Sequence, residues 1–88
     1  MQIPERPLVR NDLLEEVCDN QMVILDRQAA RVCELNPTAS VIWPRLDGSN
    51  DLDSLVKEVC QAFDVDAAVA NQDIRLFLSE LMELGLLS

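Results

Sequence analysis

The apolar residues of this 88-residue chain change rhythm once, near residue 36. Before that point they come in short runs separated by polar pairs. Leu13 to Cys18, Gln21 to Asp26 and Ala30 to Leu35 read as strands, the second and third supplying the Val, Ile, Leu and Met that pack on a pleated surface. Asp19-Asn20 between the first two tolerates the left-handed backbone of a tight hairpin turn. The second turn, Asp26-Arg27-Gln28-Ala29, lacks the glycine that such turns favour. The pattern predicts a three-stranded antiparallel meander whose outer strand is 30–35. Period-two alternation there puts Arg31, Cys33 and Leu35 on one face, with Ala30, Val32 and Glu34 on the other.

From residue 37 onward the apolar spacing is helical. Asn36 is placed to cap a helix through its side-chain oxygen, and Pro37 suits the first helical position, where a missing N–H costs nothing. This first helix carries Ala39, Ile42, Trp43 and Leu46 on its apolar side; Pro44 predicts a kink or a tighter turn near Leu46. After the loop Asp47-Gly48-Ser49-Asn50, Asp51 caps a second helix with Leu52, Leu55, Val56, Val59, Cys60 and Phe63 at helical spacing. Asp64-Val65-Asp66 breaks the pattern, and a longer helix capped by Asp66 runs to about Leu84, stopped by Gly85. Its inner face is Val69 or Ala70, Ile74, Phe77, Leu78, Leu81 and Leu84, with Leu76 and Met82 outside that stripe. Residues 1–12, with Pro4, Pro7 and alternating charges, read as an extended or loosely held arm; residues 13–88 form a single domain. Three strands followed by three helices predict an α+β fold with the helices against one end or face of a small sheet.

Composition narrows the uses of such a fold. Sixteen acidic residues against seven basic ones give a net charge of −9, the reverse of the basic face that a phosphate backbone or an anionic membrane selects. No apolar run approaches the roughly 20 residues that span a bilayer. The first residues lack the basic and apolar regions of a signal peptide, so a cytoplasmic location is expected. Trp43, Phe63 and Phe77 are the only aromatics, so the core is aliphatic.

Catalytic chemistry finds little to work with. There is no histidine to serve as base for a nucleophile, and Gly48 and Gly85 alone cannot build a phosphate-cradling loop. Cys18, Cys33 and Cys60 are widely spaced within apolar stretches and read as small core hydrophobes, with no metal site and no cofactor implied. Caps, turns and polar helix faces explain the acids. Binding is what remains: a small meander leaves an outer strand with free N–H and C=O groups, to which a peptide can add as another strand. Strand 30–35 carries only Arg31 and Glu34 as charges, so its edge is poorly blunted. The off-stripe residues Arg75, Leu76, Ser79 and Met82 of the last helix are candidates for one wall of a groove beside it.

Leu35-Asn36-Pro37-Thr38-Ala39, then Ile42-Trp43 and Leu46-Asp47-Gly48, resembles the hallmark segment of PqqD-like proteins. Phe63-Asp64-Val65-Asp66, Asp73-Ile74, Phe77-Leu78, Leu81 and Gly85-Leu86-Leu87 resemble the same family's closing pattern, so the likeness spans about residues 13–88. These domains are also called RiPP recognition elements, after ribosomally synthesised and post-translationally modified peptides. The resemblance implies a winged helix-turn-helix-like fold and a non-catalytic chaperone role. The leader segment of a precursor peptide adds as a strand beside the third strand, lies against the third helix and is presented to a modifying enzyme. On this sequence the implied strand wall is Ala30, Arg31, Val32, Cys33, Glu34 and Leu35, and the implied helix wall includes Arg75, Leu78, Ser79 and Met82. Asn36, Ala39, Trp43 and Gly48 are implied to determine the fold. The third strand has Val32-Cys33 where family members often place aromatics. The ending lacks the aromatic residue associated with pyrroloquinoline quinone synthesis, which points to another pathway, such as a lasso-peptide protease and cyclase or a radical SAM enzyme. Two rival uses of the fold are a DNA-binding winged helix and a purely structural subunit of an enzyme complex.

Overall fold

The computed structural model describes residues 3–88, and it has the α+β, winged helix-turn-helix-like plan expected from the sequence. Strands β1 (Leu14–Cys18), β2 (Gln21–Asp26) and β3 (Arg31–Glu34) form one antiparallel sheet in the order β1-β2-β3. Asp19 and Asn20 both take positive φ, 52° and 67°, the backbone of the two-residue turn whose twist matches that of the flanking strands. The second turn solves its lack of glycine differently. Ala30 adopts φ 52°, the left-handed region that glycine normally fills, and the Asp26 Oδ1 accepts the Ala29 N–H at 3.4 Å. Ala30 therefore belongs to the turn and not to the strand, and β3 is shorter than expected.

At Asn36 the chain turns from sheet to helix. Its Oδ1 accepts the Ala39 N–H at 2.8 Å, and Pro37 opens α1 (Pro37–Ile42). Pro44 forbids a further α-turn, so Trp43–Arg45 tightens into a 3₁₀ turn. Helices α2 (Leu52–Phe63) and α3 (Ala67–Glu83) follow. Asp51 caps α2 by accepting the Ser54 N–H at 2.9 Å. Asp66 stands at the start of α3, but its side chain makes no capping hydrogen bond there.

The core gathers Ile24 from β2, Leu35, Ile42 and Trp43 from the corner, Leu55 and Val59 from α2, and Ala70, Ile74, Leu78 and Leu81 from α3. Of the alternatives at the start of α3, Ala70 faces inward and Val69 is half exposed; Phe77 and Leu84 are partly buried at the margin. The Trp43 indole N–H donates to Glu15 Oε1 at 2.5 Å, which ties β1 to the corner.

Residues 7–10 run extended and are stitched into the domain. Val9 N donates to Leu46 O at 2.9 Å, Arg10 N to Leu86 O at 3.0 Å, and Ser88 N to Leu8 O at 2.6 Å. The Arg10 guanidinium donates to Asp12, to Asp26 and to the Gly85 carbonyl, linking the arm, the sheet and the C-terminal tail. Burial of Asp26, 3% exposed, pushes its carboxyl up, but the Arg10 hydrogen bonds and the Ala29 N–H together hold it below the ordinary 3.8. Arg10 holds Asp12 below that value as well.

Two predictions follow from these contacts. Replacing Ala30 by glycine removes the strain of a positive φ on a side-chain-bearing residue, and the domain is expected to gain about 0.5–1 kcal/mol in urea unfolding; a loss would show that the turn is not strained. Folded carboxyls lying below 3.8 contribute stability in full above that pH and lose it as pH falls through their lowered values. Arg10→Met leaves the burial of Asp26 opposed only by the backbone N–H groups of Ala29 and Gln28. The variant should be less stable than wild type at pH 7 and lose less between about pH 5 and pH 3, read from urea midpoints. Equal losses for the two proteins would show that Arg10 does not set the acid sensitivity.

Candidate functional site

The site begins with the arithmetic of an antiparallel ladder. β2 and β3 pair Ile24 with Cys33 and Leu25 with Val32, and Leu35 N donates to Met22 O at 2.9 Å. Hydrogen-bonded pairs alternate along such a ladder, so Arg31, Cys33 and Leu35 direct their backbone groups to β2. The N–H and C=O of Val32 and Glu34 point to the open edge. Val32 is 63% exposed.

Beyond the end of β3, between the Asn36 corner and α3, lies a cleft of about 240 Å³. Asn36, Thr38 and Ala39 form one side; Asp73, Leu76, Phe77 and Glu80 form the other. Those four α3 positions are spaced i, i+3, i+4, i+7 and share one face of the helix. The adjoining face, Ala70, Ile74, Leu78 and Leu81, is in the core and holds α3 in place. Leu76 is 58% exposed beside the partly buried Phe77, an apolar pad between two carboxylates.

Cys33 lies on the inner face of β3, and burial pushes its thiol above the ordinary 9.0; the Glu80 carboxylate raises it further, and Arg31 opposes. Both raising effects favour the protonated, neutral thiol at neutral pH. The Glu80 effect also links α3 electrostatically to the strand. With donors and acceptors on one side and an apolar pad on the other, the arrangement suits an extended peptide.

Of the sequence-derived strand wall Ala30 to Leu35, Arg31, Val32, Cys33 and Glu34 lie in β3. Ala30 sits in the turn, and Leu35, 2% exposed, is a core residue. The helix wall differs more. Leu78 has no exposed surface, because it occupies the centre of the buried stripe, so it cannot present a side chain to a groove. Arg75 donates from Nε to Asn71 Oδ1 at 2.8 Å and lines a separate cleft with Ile3, Pro4 and Leu52. Ser79 is exposed, Met82 is partly buried, and neither lines the cleft at the Asn36 corner. Asp73, Phe77, Glu80 and Thr38 were not singled out as wall residues. Their signal in the sequence was the i, i+3, i+4, i+7 repeat through Leu76, on the flank of the helix nearer to Phe77.

Among the described residues no cluster of three or more His, Cys, Asp or Glu is placed to hold a metal, and no helix is long and apolar enough to cross a membrane. Among solved structures, TbiB1 in complex with the TbiA(beta) leader peptide superposes with a TM-score of 0.80 at 25% identity, covering 92% of this chain and 94% of that one. Lasso peptide synthetase B1 complexed with the leader peptide superposes with a TM-score of 0.81, covering 94% and 98%, and at 24% identity this likeness bears on the fold. Comparison with curated proteins gave no match. The model of the family described as coenzyme PQQ synthesis protein D (PqqD) matches residues 21–87, well over half of the chain, and the protein belongs to that family.

Proposed function

We propose that this protein is a non-catalytic peptide chaperone. It binds the leader segment of a ribosomally made precursor peptide as a fourth strand beside β3 and presents it to a modifying enzyme, of the lasso-peptide protease and cyclase type or the radical SAM type. The observation that carries this reading is the open edge of β3, with Val32 and Glu34 backbone groups facing out and the α3 cleft beyond the end of the strand. Membership of the PqqD family and the likeness to a fold seen with leader peptides support it. Main-chain bonds to the edge supply affinity that is indifferent to sequence, and the cleft supplies the selection.

A nucleic-acid role has no comparable support. α3 carries one arginine, already bonded to Asn71, against Asp73, Glu80 and Glu83, so its field repels phosphate.

Val32→Pro removes one outward N–H while leaving the β2–β3 bonds of Cys33 and Arg31 in place, so the fold should tolerate it, as edge strands tolerate proline. In a backbone amide NMR titration with the leader encoded beside this gene, wild type should shift at residues 31–34 and along Asp73–Glu80. The Val32→Pro variant, with an unchanged circular dichroism spectrum, should bind at least about tenfold more weakly, the loss of roughly one charge-neutral hydrogen bond and its neighbours' geometry. Unaltered affinity in the folded variant would move the docking surface away from this edge.

A further inference from the structure

The charges facing the groove are unevenly distributed. From α3 come Asp73 and Glu80; the corner contributes the neutral Asn36, Thr38 and Ala39; the inner face of β3 contributes neutral Cys33 and, at its far end, Arg31. Glu34 sits on the edge itself with its side chain on the opposite face of the sheet. Among the described residues the ion pairs are Arg10 with Asp12, Arg10 with Asp26, and Arg45 with Glu58, so neither groove carboxylate has a cationic partner. Both are exposed. Seven residues of α-helix separate them by about 10 Å along the axis, which is roughly three residues of an extended peptide. Leu76 and Phe77 lie between.

We infer that the groove selects leader segments carrying two basic residues, Lys or Arg, two to four positions apart and flanking an aliphatic or aromatic anchor. The anchor covers Leu76 and Phe77, and the two cations meet Asp73 and Glu80. The inference rests on the leader-binding reading and adds to it the chemical class of the ligand. An acidic leader would meet two unpaired carboxylates and the field of a −9 protein; a basic one is steered in by the same field. Each pair is solvent-exposed and adds a modest factor, about two- to fivefold, so selectivity comes from having both.

A phage-displayed library of random peptides of about twelve residues, selected on the intact domain, tests this directly. The expected winners hold the basic–apolar–basic pattern. Measured by fluorescence anisotropy, a winner should bind Asp73→Asn/Glu80→Gln about tenfold more weakly and lose most of its salt dependence between about 50 and 500 mM. Asp73→Lys/Glu80→Lys should instead prefer the same peptide with its basic residues changed to Glu, a reversal that general damage to the fold would not produce. Winners without basic enrichment, or an affinity unchanged within twofold in Asp73→Asn/Glu80→Gln, would overturn the charge rule. If those winners are still lost on Val32→Pro, strand docking stands without it. Failure to select any peptide, or winners indifferent to Val32→Pro, would overturn the leader-binding reading and the charge rule together.

Discussion

Between Leu35 N, which donates to Met22 O, and Ala39 N, which donates to Asn36 Oδ1, the chain passes from sheet to helix with one residue to spare for the change of direction. That corner sets the geometry of everything downstream. Leu35 ends the ladder inside the core, Asn36 satisfies a first-turn amide that has no intrahelical partner, and Pro37 needs no partner at all. α1 is then short, and the 3₁₀ turn forced by Pro44 brings Trp43 beneath the sheet, where its N–H reaches back to Glu15. With the corner fixed, α3 packs against α1, and a cleft opens between the corner and α3. A corner that frayed would leave the edge of β3 intact but without a second wall.

The elements were legible because each has a local cause: strand-forming runs, a cap, a proline, a left-handed stop. β2 has the expected limits, and the tighter turn after Pro44 lies where the proline requires it. The groove face of α3 was not legible to the same degree. Helical periodicity identifies the side of a helix that is buried; it does not say which flank of that side adjoins the sheet. Leu76 and Arg75 both fall outside the buried stripe, yet one lines the cleft at the Asn36 corner and the other points toward the arm and α2. Choosing between the flanks requires the packing angle of α3, which depends on contacts across the whole core. Leu78 shows the complementary case, since it lies at the centre of the buried stripe and has no exposed surface.

Two further features lacked any local signal. Arg10 joins partners 16 and 75 residues away, and nothing in its immediate neighbourhood indicates that it closes the arm against the tail. Ala30 occupies a conformation that its own side chain disfavours; the paired ladder on either side and the Asp26 carboxylate hold it there. Both are tertiary decisions imposed on residues whose intrinsic preferences are neutral or contrary.

An unblunted edge carries a hazard that the charge distribution offsets. Val32 and its free N–H and C=O would pair as readily with another copy of β3 as with a foreign peptide. Two copies brought together at this edge, however, would also bring together two sets of Glu34, Asp73 and Glu80, in molecules each bearing −9. Like charges brought together in this way would raise the free energy of self-pairing, whereas the cationic strand inferred above would lower it. The backbone groups of β3 are indiscriminate by nature. On the proposed reading selection would come from α3, whose cleft face carries Asp73 and Glu80 on either side of Leu76 and Phe77.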